Sequence, residues 1–123
     1  MNTRAAFAWL LLPLLLARLA AAQPSTDIHL YDVAVKARTV VLSNPRNVTP
    51  RAGYDNQPSF HATLPLLYYA AGAEGGQTDL RAYNYHTGAS QSLTATPERE
   101  YSPTLTEDQQ FLLYDCTASQ VER

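Results

Sequence analysis

Short blocks of apolar residues, separated by turn-forming residues, recur in the middle of the chain. The run LLYYAA at 66–71 is apolar throughout, rich in aromatic residues and too short for a typical helix, so it predicts a buried strand. From 78 to 85 apolar and polar residues alternate, which puts Leu80 and Ala82 on the opposite face of a strand from Arg81. These two segments predict neighbouring strands of one sheet.

Turn signals divide this part of the chain into four strands. The segment GAEGGQ at 72–77 predicts a hairpin loop, because glycine adopts positive φ without steric cost. The segment HTGA at 86–89 predicts the next turn. Pro58 cannot donate a hydrogen bond to a ladder, which places it at the start of a strand or in an edge strand. The pattern predicts an antiparallel meander of strands at 57–60, 66–71, 78–85 and 91–94.

The chain resembles itself at a constant distance. When it is shifted by 45 residues, three blocks coincide in the same order: NVT with SLT, PSF with PTL, and LLYY with FLLY. A fourth block, DIHLYDV from Asp27, matches DLRAYNY from Asp79 at a distance of 52. A period of about 40–50 residues is typical of β-propeller blades, which contain four strands each. Further strands are therefore predicted at 27–33, 102–105 and 111–115.

The repeat predicts an all-β fold, namely a partial β-propeller made of four-stranded antiparallel blades. One complete blade at 51–97 is flanked by the end of a first blade at 23–50 and by the start of a further blade, with an off-pattern tail, at 98–123. Propellers have about four to eight blades, and repeat units bury their faces only against neighbours. We therefore expect a fragment of a longer propeller. The alternative is a subunit that builds a ring by self-association through its exposed blade faces.

The first 22 residues have the layout of a secretory signal peptide. Arg4 precedes an uncharged stretch at 5–17, and the alanines at 20–22 supply small residues for cleavage after Ala22, which would leave Gln23 at the N-terminus. The stretch is shorter than the roughly 18 residues that a membrane span requires. The segment predicts a periplasmic or secreted protein with no transmembrane anchor after cleavage.

The amino-acid composition argues against nucleic acid as a partner and indicates a globular, β-rich protein. The 123 residues carry a net charge of −2, so there is no basic excess of the kind that nucleic-acid binding requires, and no nucleic acid is expected as a partner. Cys116 is the only cysteine, so an exported domain of this sequence is held together by packing and not by an internal disulfide. With 16% charged residues and eight tyrosines, the chain has the composition of a globular, β-rich protein.

The residues that could carry catalysis lack the arrangements that catalysis requires. Gly88, Ser90 and Ser92 approach the nucleophile elbow G-x-S-x-G, but the final glycine and a following helix are missing, which favours a polar strand after a turn. The three histidines, at positions 29, 61 and 86, lack the spacing of a metal site. We expect no catalytic residue, no cofactor and no metal ligand.

The acidic segments and the cysteine have structural interpretations. Glu98 and Glu100 lie in a predicted loop and are interpreted as part of a solvated surface. Asp55 and Asn56 precede Pro58 and predict a turn held by side-chain-to-backbone hydrogen bonds. Cys116 is interpreted as an incidental thiol, since no base is placed beside it by the sequence.

The repeated blocks resemble the repeat of TolB-type β-propellers, a WD-like family of exported bacterial proteins. In that repeat a Pro-Ser-Phe-like triplet opens a strand, and an Asp-Ile-Tyr-like strand, a Thr-Gly turn and a Leu-Thr pair follow. This chain has Pro58-Ser59-Phe60, Asp79-Leu80, Thr87-Gly88 and Leu93-Thr94 at these positions. It departs from the family at 61–65, where HATLP stands in place of a Ser-Pro-Asp-Gly turn. The resemblance extends over residues 27–114.

The resemblance implies binding and not catalysis, since TolB-type propellers act as interaction scaffolds. It implies a non-catalytic, exported scaffold that binds a protein or peptide in the cell envelope. The alternative is the N-terminal propeller piece of a prolyl-oligopeptidase-type serine peptidase, whose hydrolase domain would lie beyond Arg123. Genomic DNA downstream of the coding sequence distinguishes the two: further blades favour the scaffold, and a G-x-S-x-G motif on a strand, turn and helix favours the peptidase.

Overall fold

The computed structural model of the chain describes residues 24–73 and 76–117, which form eight β-strands and no helix. The all-β prediction is therefore confirmed for this part of the chain. The strands are β1 (His29–Lys36), β2 (Thr39–Asn47), β3 (Tyr54–Phe60), β4 (Leu66–Gly72), β5 (Thr78–Asn84), β6 (Ser90–Ser92), β7 (Arg99–Leu105) and β8 (Leu112–Thr117).

The strands form three antiparallel sheets in chain order. β3, β4, β5 and β6 form one four-stranded meander, and the two-stranded sheets β1–β2 and β7–β8 precede and follow it. The predicted central meander is thus confirmed, including the position of Pro58 in an edge strand. The sheets of the described residues do not close into a ring or a barrel.

The central sheet is buried on both faces, which explains its long apolar run. On one face, Leu67 and Tyr69 of β4 pack with Ile28, which precedes β1. On the other face, Leu80 and Ala82 are 0% and 2% exposed, and this face lies against β7. A strand that is apolar on both sides of the sheet reads as a continuous hydrophobic segment and not as an alternating one.

Both β3 and β7 contain a β-bulge beside a proline. The register shifts between Asn56 and Ser59 in β3, where Gln57 has φ 54°. Because proline removes one ladder hydrogen bond, a bulge at this point disrupts no pairing that the strand could otherwise make. The bulge also joins the two sheets: the Ser102 backbone N–H of β7 donates to Gln57 Oε1 at 2.9 Å, and Ser59 Oγ donates to the Pro103 carbonyl at 2.5 Å.

The turn before β3 depends on a glycine. Gly53 has φ 122°, and a Cβ atom at this position would lie 2.4 Å from the Gly72 carbonyl oxygen. Its carbonyl also accepts a hydrogen bond from the Thr26 backbone N–H at 3.0 Å, which ties the segment before β1 to the central sheet. A side chain at residue 53 would therefore collide with the end of β4.

Several predicted boundaries differ from the structure. The first strand lies at 29–36 and not at 27–33, and the sequence pattern did not locate β2. Asp55 and Asn56, predicted to form a turn, lie inside β3. β8 continues to Thr117, although the repeat pattern fades after Tyr114. In β3 and β8, pairing with a neighbouring strand extends the strand beyond its local hydrophobic pattern.

One predicted environment is wrong. Glu100 was expected on a solvated surface, yet it lies in β7 and is 1% exposed. Its carboxylate accepts hydrogen bonds from the hydroxyls of Thr94 and Thr96, the latter at 2.9 Å. Its backbone N–H donates to Thr78 Oγ1 at 3.1 Å. A carboxylate is tolerated in the interior where such donors replace water.

The predicted signal peptide at residues 1–22 and the end of the predicted tail lie outside the described residues. Across 24–73 and 76–117, no helix has the length and apolar character to cross a membrane.

Candidate functional site

A cleft of about 370 Å³ separates the segment that follows β2 from one face of the central sheet. Residues 48–51 form one wall, and β4, β5 and β6 form the other. Its polar lining consists chiefly of Arg51, Tyr69, Asp79, Arg81, Ser90 and Ser92. The size and the convergence of polar groups on an apolar floor are typical of a binding site for a small ligand or a short peptide segment.

Strand register places the polar groups of the second wall on one face. Tyr69 of β4 is paired with Arg81 of β5, and Arg81 is paired with Ser92 of β6. Side chains directly opposite each other in antiparallel strands point to the same face of the sheet. Tyr69 Oη lies 3.1 Å from Ser90 Oγ, and Arg81 Nε donates to the same oxygen at 3.3 Å. The sheet thus orients the Arg81 guanidinium towards the cleft.

The first wall is held by an ion pair between Arg51 and Asp55. Arg51 Nη2 lies 2.5 Å from Asp55 Oδ1, and Arg51 Nη1 donates to the carbonyls of Gly72 and Ala52, each at 3.1 Å. The side chain of Arg51 is 40% exposed, whereas that of Asp55 is 0% exposed. Three acceptors therefore fix the guanidinium of Arg51 at the edge of the cleft.

Asp55 is a buried carboxylate with an incomplete set of partners. Its Oδ2 atom has no hydrogen-bond partner among the described residues. Burial raises the pKa of Asp55 above its ordinary value of 3.8, and this effect outweighs the hydrogen bond and the positive charge of Arg51, which act in the opposite direction. The position of Arg51 therefore depends on a carboxylate whose ionisation the fold itself opposes.

The electrostatic character of the cleft is set by two guanidinium groups and one carboxylate. Within the described ranges, Arg51 is paired with Asp55, and Arg81 forms no ion pair. Asp79 uses Oδ1 to accept a weak 3.4 Å hydrogen bond from the Thr96 backbone N–H. The arrangement suits an anionic group beside an aromatic ring, because guanidinium groups bind carboxylates through two parallel hydrogen bonds.

The serines of the incomplete nucleophile motif belong to this cleft but lie in a strand. Ser90 and Ser92 are at the two ends of β6, and no helix follows them within the described residues. The hydroxyl of Ser90 contacts Tyr69 and Arg81, neither of which is the base that a nucleophilic serine requires. Ser92 Oγ donates to the Thr94 carbonyl at 3.1 Å, so both hydroxyls take part in hydrogen bonds within the wall of the cleft.

The histidines and the cysteine lie in separate places. His61 Nδ1 accepts hydrogen bonds from the backbone N–H groups of Thr63 and Leu64, at 3.2 and 3.1 Å, so it stabilises the loop between β3 and β4. His29 and His86 are exposed. Cys116 is exposed on β8. Across the described residues, no three side chains of His, Cys, Asp or Glu are grouped so that they could hold a metal ion.

Sequence reasoning did not identify Arg51, Asp79 or Arg81 as members of a site. The alternation at 78–85 does put Asp79 and Arg81 on one face of a strand. The pairing of that face with Tyr69 and Ser92 depends on the register of three strands, however, and the approach of Arg51 depends on a turn. The only local signal was the spacing of Arg51 four positions before Asp55.

No protein-family model, no curated protein and no solved structure matches the chain. The function of the cleft therefore has to be inferred from its own charges, hydrogen bonds and shape.

Proposed function

We propose that this chain is an exported, non-catalytic segment of a TolB-like β-propeller that acts as a scaffold for binding a protein or peptide. The observation that carries the proposal is the packing of a four-stranded antiparallel meander against β7 on one face and against Ile28 and Val48, which flank the β1–β2 hairpin, on the other. A propeller is built from such sheets, packed face to face around an axis.

The strand pairings support the equivalence of the central sheet and the β7–β8 sheet. All five pairs of β3 with β4 recur 45 residues later between β7 and β8; Ser59 opposite Tyr68, for example, becomes Thr104 opposite Leu113. The bulge recurs as well, with Gln57 at φ 54° and Ser102 at φ 55°. Identical registers and bulges at one offset are expected of successive copies of one structural unit.

The hydrogen bonds of two threonines support the same equivalence. Thr49 Oγ1 accepts from the Ile28 backbone N–H at 2.8 Å, and Thr94 Oγ1 accepts from the Leu80 backbone N–H, also at 2.8 Å. The two threonines are 45 residues apart and the two donors are 52 apart, which are the offsets found in the sequence blocks. The Thr49 bond connects the segment after β2 to Ile28, just before β1, and the Thr94 bond connects the segment after β6 to β5.

The cleft between residues 48–51 and the central sheet is the proposed binding site. Its partner would be a peptide segment that presents a carboxylate, from its C-terminus or from an acidic side chain, to Arg81 with Arg51 beside it. Tyr69 offers an aromatic surface and a hydroxyl, and the serines of β6 offer neutral hydrogen-bonding groups. Charge-assisted hydrogen bonds of this kind contribute about 1.5–3 kcal/mol each.

Replacing Arg81 by Gln is expected to weaken peptide binding about tenfold to a hundredfold, since it removes the cation of the cleft that has no ion-pair partner within the described ranges. The measurement is isothermal titration with short N-acetylated peptides, selected from a random library on the wild-type chain, each compared as the free acid and as the C-terminal amide. The matched control is Arg46→Gln, because Arg46 pairs with Asp32 on the first sheet, outside the cleft. Equal losses in both variants would count against the site, and equal binding of acids and amides would place the carboxylate on an acidic side chain of the peptide.

Export is a separate expectation and has its own measurement. The chain recovered from its host is expected to begin at or near Gln23, because cleavage after Ala22 removes the leader. Mass spectrometry of the N-terminal peptide reads this directly. An intact Met1 on protein purified from the cytosol would contradict export while leaving the binding proposal untouched.

A further inference from the structure

β1 and β8 each have a free hydrogen-bonding edge and exposed apolar side chains. β1 is paired only with β2, and β8 is paired only with β7. In β1, Val33 and Val35 are 66% and 72% exposed, and in β8, Leu113 is 62% exposed. A free edge that carries apolar side chains is a template for pairing with another strand.

The two free edges are complementary to each other. β8 corresponds to β4 at an offset of 45, and β1 corresponds to β5 at an offset of 52. The register of β1 with β2 agrees with this correspondence, because His29 is opposite Asn47 just as Arg81 is opposite Ser92. In the central sheet, β4 and β5 are antiparallel neighbours. The edge that β8 exposes is therefore of the kind that β1 is built to pair with.

Transfer of the central register predicts the contacts between the two edges. Tyr68 is opposite Ala82 in the central sheet, so Leu113 of β8 would be opposite Leu30 of a second β1. Leu67 is opposite Tyr83, so Leu112 would be opposite Tyr31. Apolar side chains thus meet at two successive pairs, which is the arrangement that stabilises neighbouring strands.

Charge complementarity favours the same pairing. β8 begins just after an acidic turn that contains Glu107 and Asp108, and β1 ends just before a turn flanked by Lys36 and containing Arg38. In an antiparallel pair the start of one strand lies beside the end of the other. Within the described ranges, neither Lys36, Arg38 nor Glu107 forms an ion pair. The hydrogen bonds from Thr106 and Gln110 keep the pKa of Asp108 below its ordinary value, so its charge is present at neutral pH.

We infer that a second copy of this chain covers the free edge, with β8 of one copy paired antiparallel to β1 of the next. The result is a four-stranded blade in the order β7–β8–β1–β2, shared between two copies. This inference rests on the proposed arrangement of the sheets as propeller blades.

The strands of the described residues give the number of copies that these residues would need to form a ring. The described residues supply eight strands, equivalent to two four-stranded blades. Head-to-tail contacts close into a ring where the rotation between copies permits it. Because propellers have about four to eight blades, the ring would contain two, three or four copies.

The lone cysteine offers a test of this register. Cys116 corresponds to Ala71 at the offset of 45, and Asp27 corresponds to Asp79 at the offset of 52. Because Ala71 is paired with Asp79, the shared blade places Cys116 opposite Asp27 of the next copy. Opposed residues of antiparallel strands have Cα atoms about 4.5–5.5 Å apart, within the range that a disulfide spans.

In the full chain, expressed from its complete coding sequence, Asp27→Cys is expected to form intermolecular disulfides under mild oxidation. Non-reducing gels would show them as a series of covalent oligomers or as a single covalently closed ring. The control His29→Cys, two positions out of register, is expected to cross-link at least fivefold less.

Light scattering after size-exclusion chromatography supplies the second readout. The wild-type chain is expected at two to four times the mass of one copy, and Leu113→Lys is expected to shift it to a single copy by placing a charge in the apolar contact. The matched control Leu64→Lys adds the same charge at a loop residue that is 49% exposed and is expected to leave the assembly intact.

A monodisperse wild-type monomer would overturn the inference, as would an oligomer that Asp27→Cys fails to cross-link above the His29→Cys control. Unlimited filaments would overturn ring closure. A monomer that still binds free-acid peptides through Arg81 would leave the proposed function standing, whereas a cross-linked ring without such binding would remove the proposed function alone.

Discussion

Leu80→Ala is expected to lower the free energy of unfolding by about 2–5 kcal/mol, the range for leucines truncated in a well-packed core. Leu80 lies in β5, an inner strand of the central sheet, and is 0% exposed. Its side chain shares the face that lies against β7, so the lost methyl groups leave a cavity between two sheets. Since small domains are stable by about 5–15 kcal/mol, this loss removes a large part of the margin.

Urea-induced unfolding followed by circular dichroism measures the effect at the same protein concentration for each variant. Leu42→Ala is the matched control, because Leu42 has the same side chain on β2 but is 58% exposed. Exposed substitutions of this kind change stability by about 0.5 kcal/mol or less. A loss at Leu80 no larger than that at Leu42 would mean that the central and third sheets do not pack as described.

The central sheet could be predicted from the sequence because its signals are local. LLYYAA is apolar over six residues, and the segment from Thr78 alternates, so both strands and the burial of Leu80 and Ala82 follow from periodicity alone. Pro58 marked an edge strand for the equally local reason that it lacks a backbone N–H.

β2 could not be located because its signal is mixed. Asn44 and Pro45 are turn-forming residues in the middle of the strand, and they read as an interruption. The structure accommodates them in a bulge, where Asn44 has φ 50° and the register shifts opposite the segment between Leu30 and Asp32. A bulge is defined by the pairing of two strands, so periodicity in one strand does not reveal it.

The environment of Glu100 was predicted wrongly for a related reason. The triplet ERE at 98–100 is charged throughout, and charge alone favours exposure. The burial of Glu100 depends on hydroxyls from Thr94, Thr96 and Thr78, which belong to different segments. The cleft has the same property, because its two arginines come from a turn and from a strand.

Arg51→Leu is expected to cost about 3 kcal/mol of stability at neutral pH. This is the low end of the loss seen when one partner of a buried ion pair is removed, and it applies here because the side chain of Arg51 is itself 40% exposed while that of Asp55 is fully buried. Without Arg51, neither carboxylate oxygen of Asp55 keeps a described side-chain partner. The substitution also removes the hydrogen bonds from Arg51 to the Gly72 and Ala52 carbonyls, which hold residues 51 and 52 against the end of β4.

The matched control is Arg46→Leu. Arg46 forms the other ion pair described in the structure, at 3.0 Å from Asp32, with side chains 51% and 53% exposed. An exposed pair of this kind contributes about 1 kcal/mol or less. Equal losses in the two variants would show that Asp55 gains nothing from Arg51 beyond what a surface pair provides.

The pH dependence separates loss of charge pairing from loss of packing. Burial already raises the pKa of Asp55 above 3.8, and removal of Arg51 takes away the main group that lowers it, so the folded-state pKa rises further. At a pH between 3.8 and the raised folded-state pKa of Asp55, the folded chain binds more protons than the unfolded chain. The free energy of unfolding therefore falls as the pH rises through this range. The deficit of Arg51→Leu is therefore expected to be smallest below about pH 3.8 and largest at neutral pH.

The double variant Arg51→Leu/Asp55→Asn has no carboxylate to ionise, so its stability should not fall with rising pH in this way. It should also recover much of the stability at neutral pH, because removing both partners avoids an uncompensated buried charge. Thermal melts of the three variants across this pH range measure the slope, and a deficit of Arg51→Leu that stays constant with pH would assign the loss to packing instead.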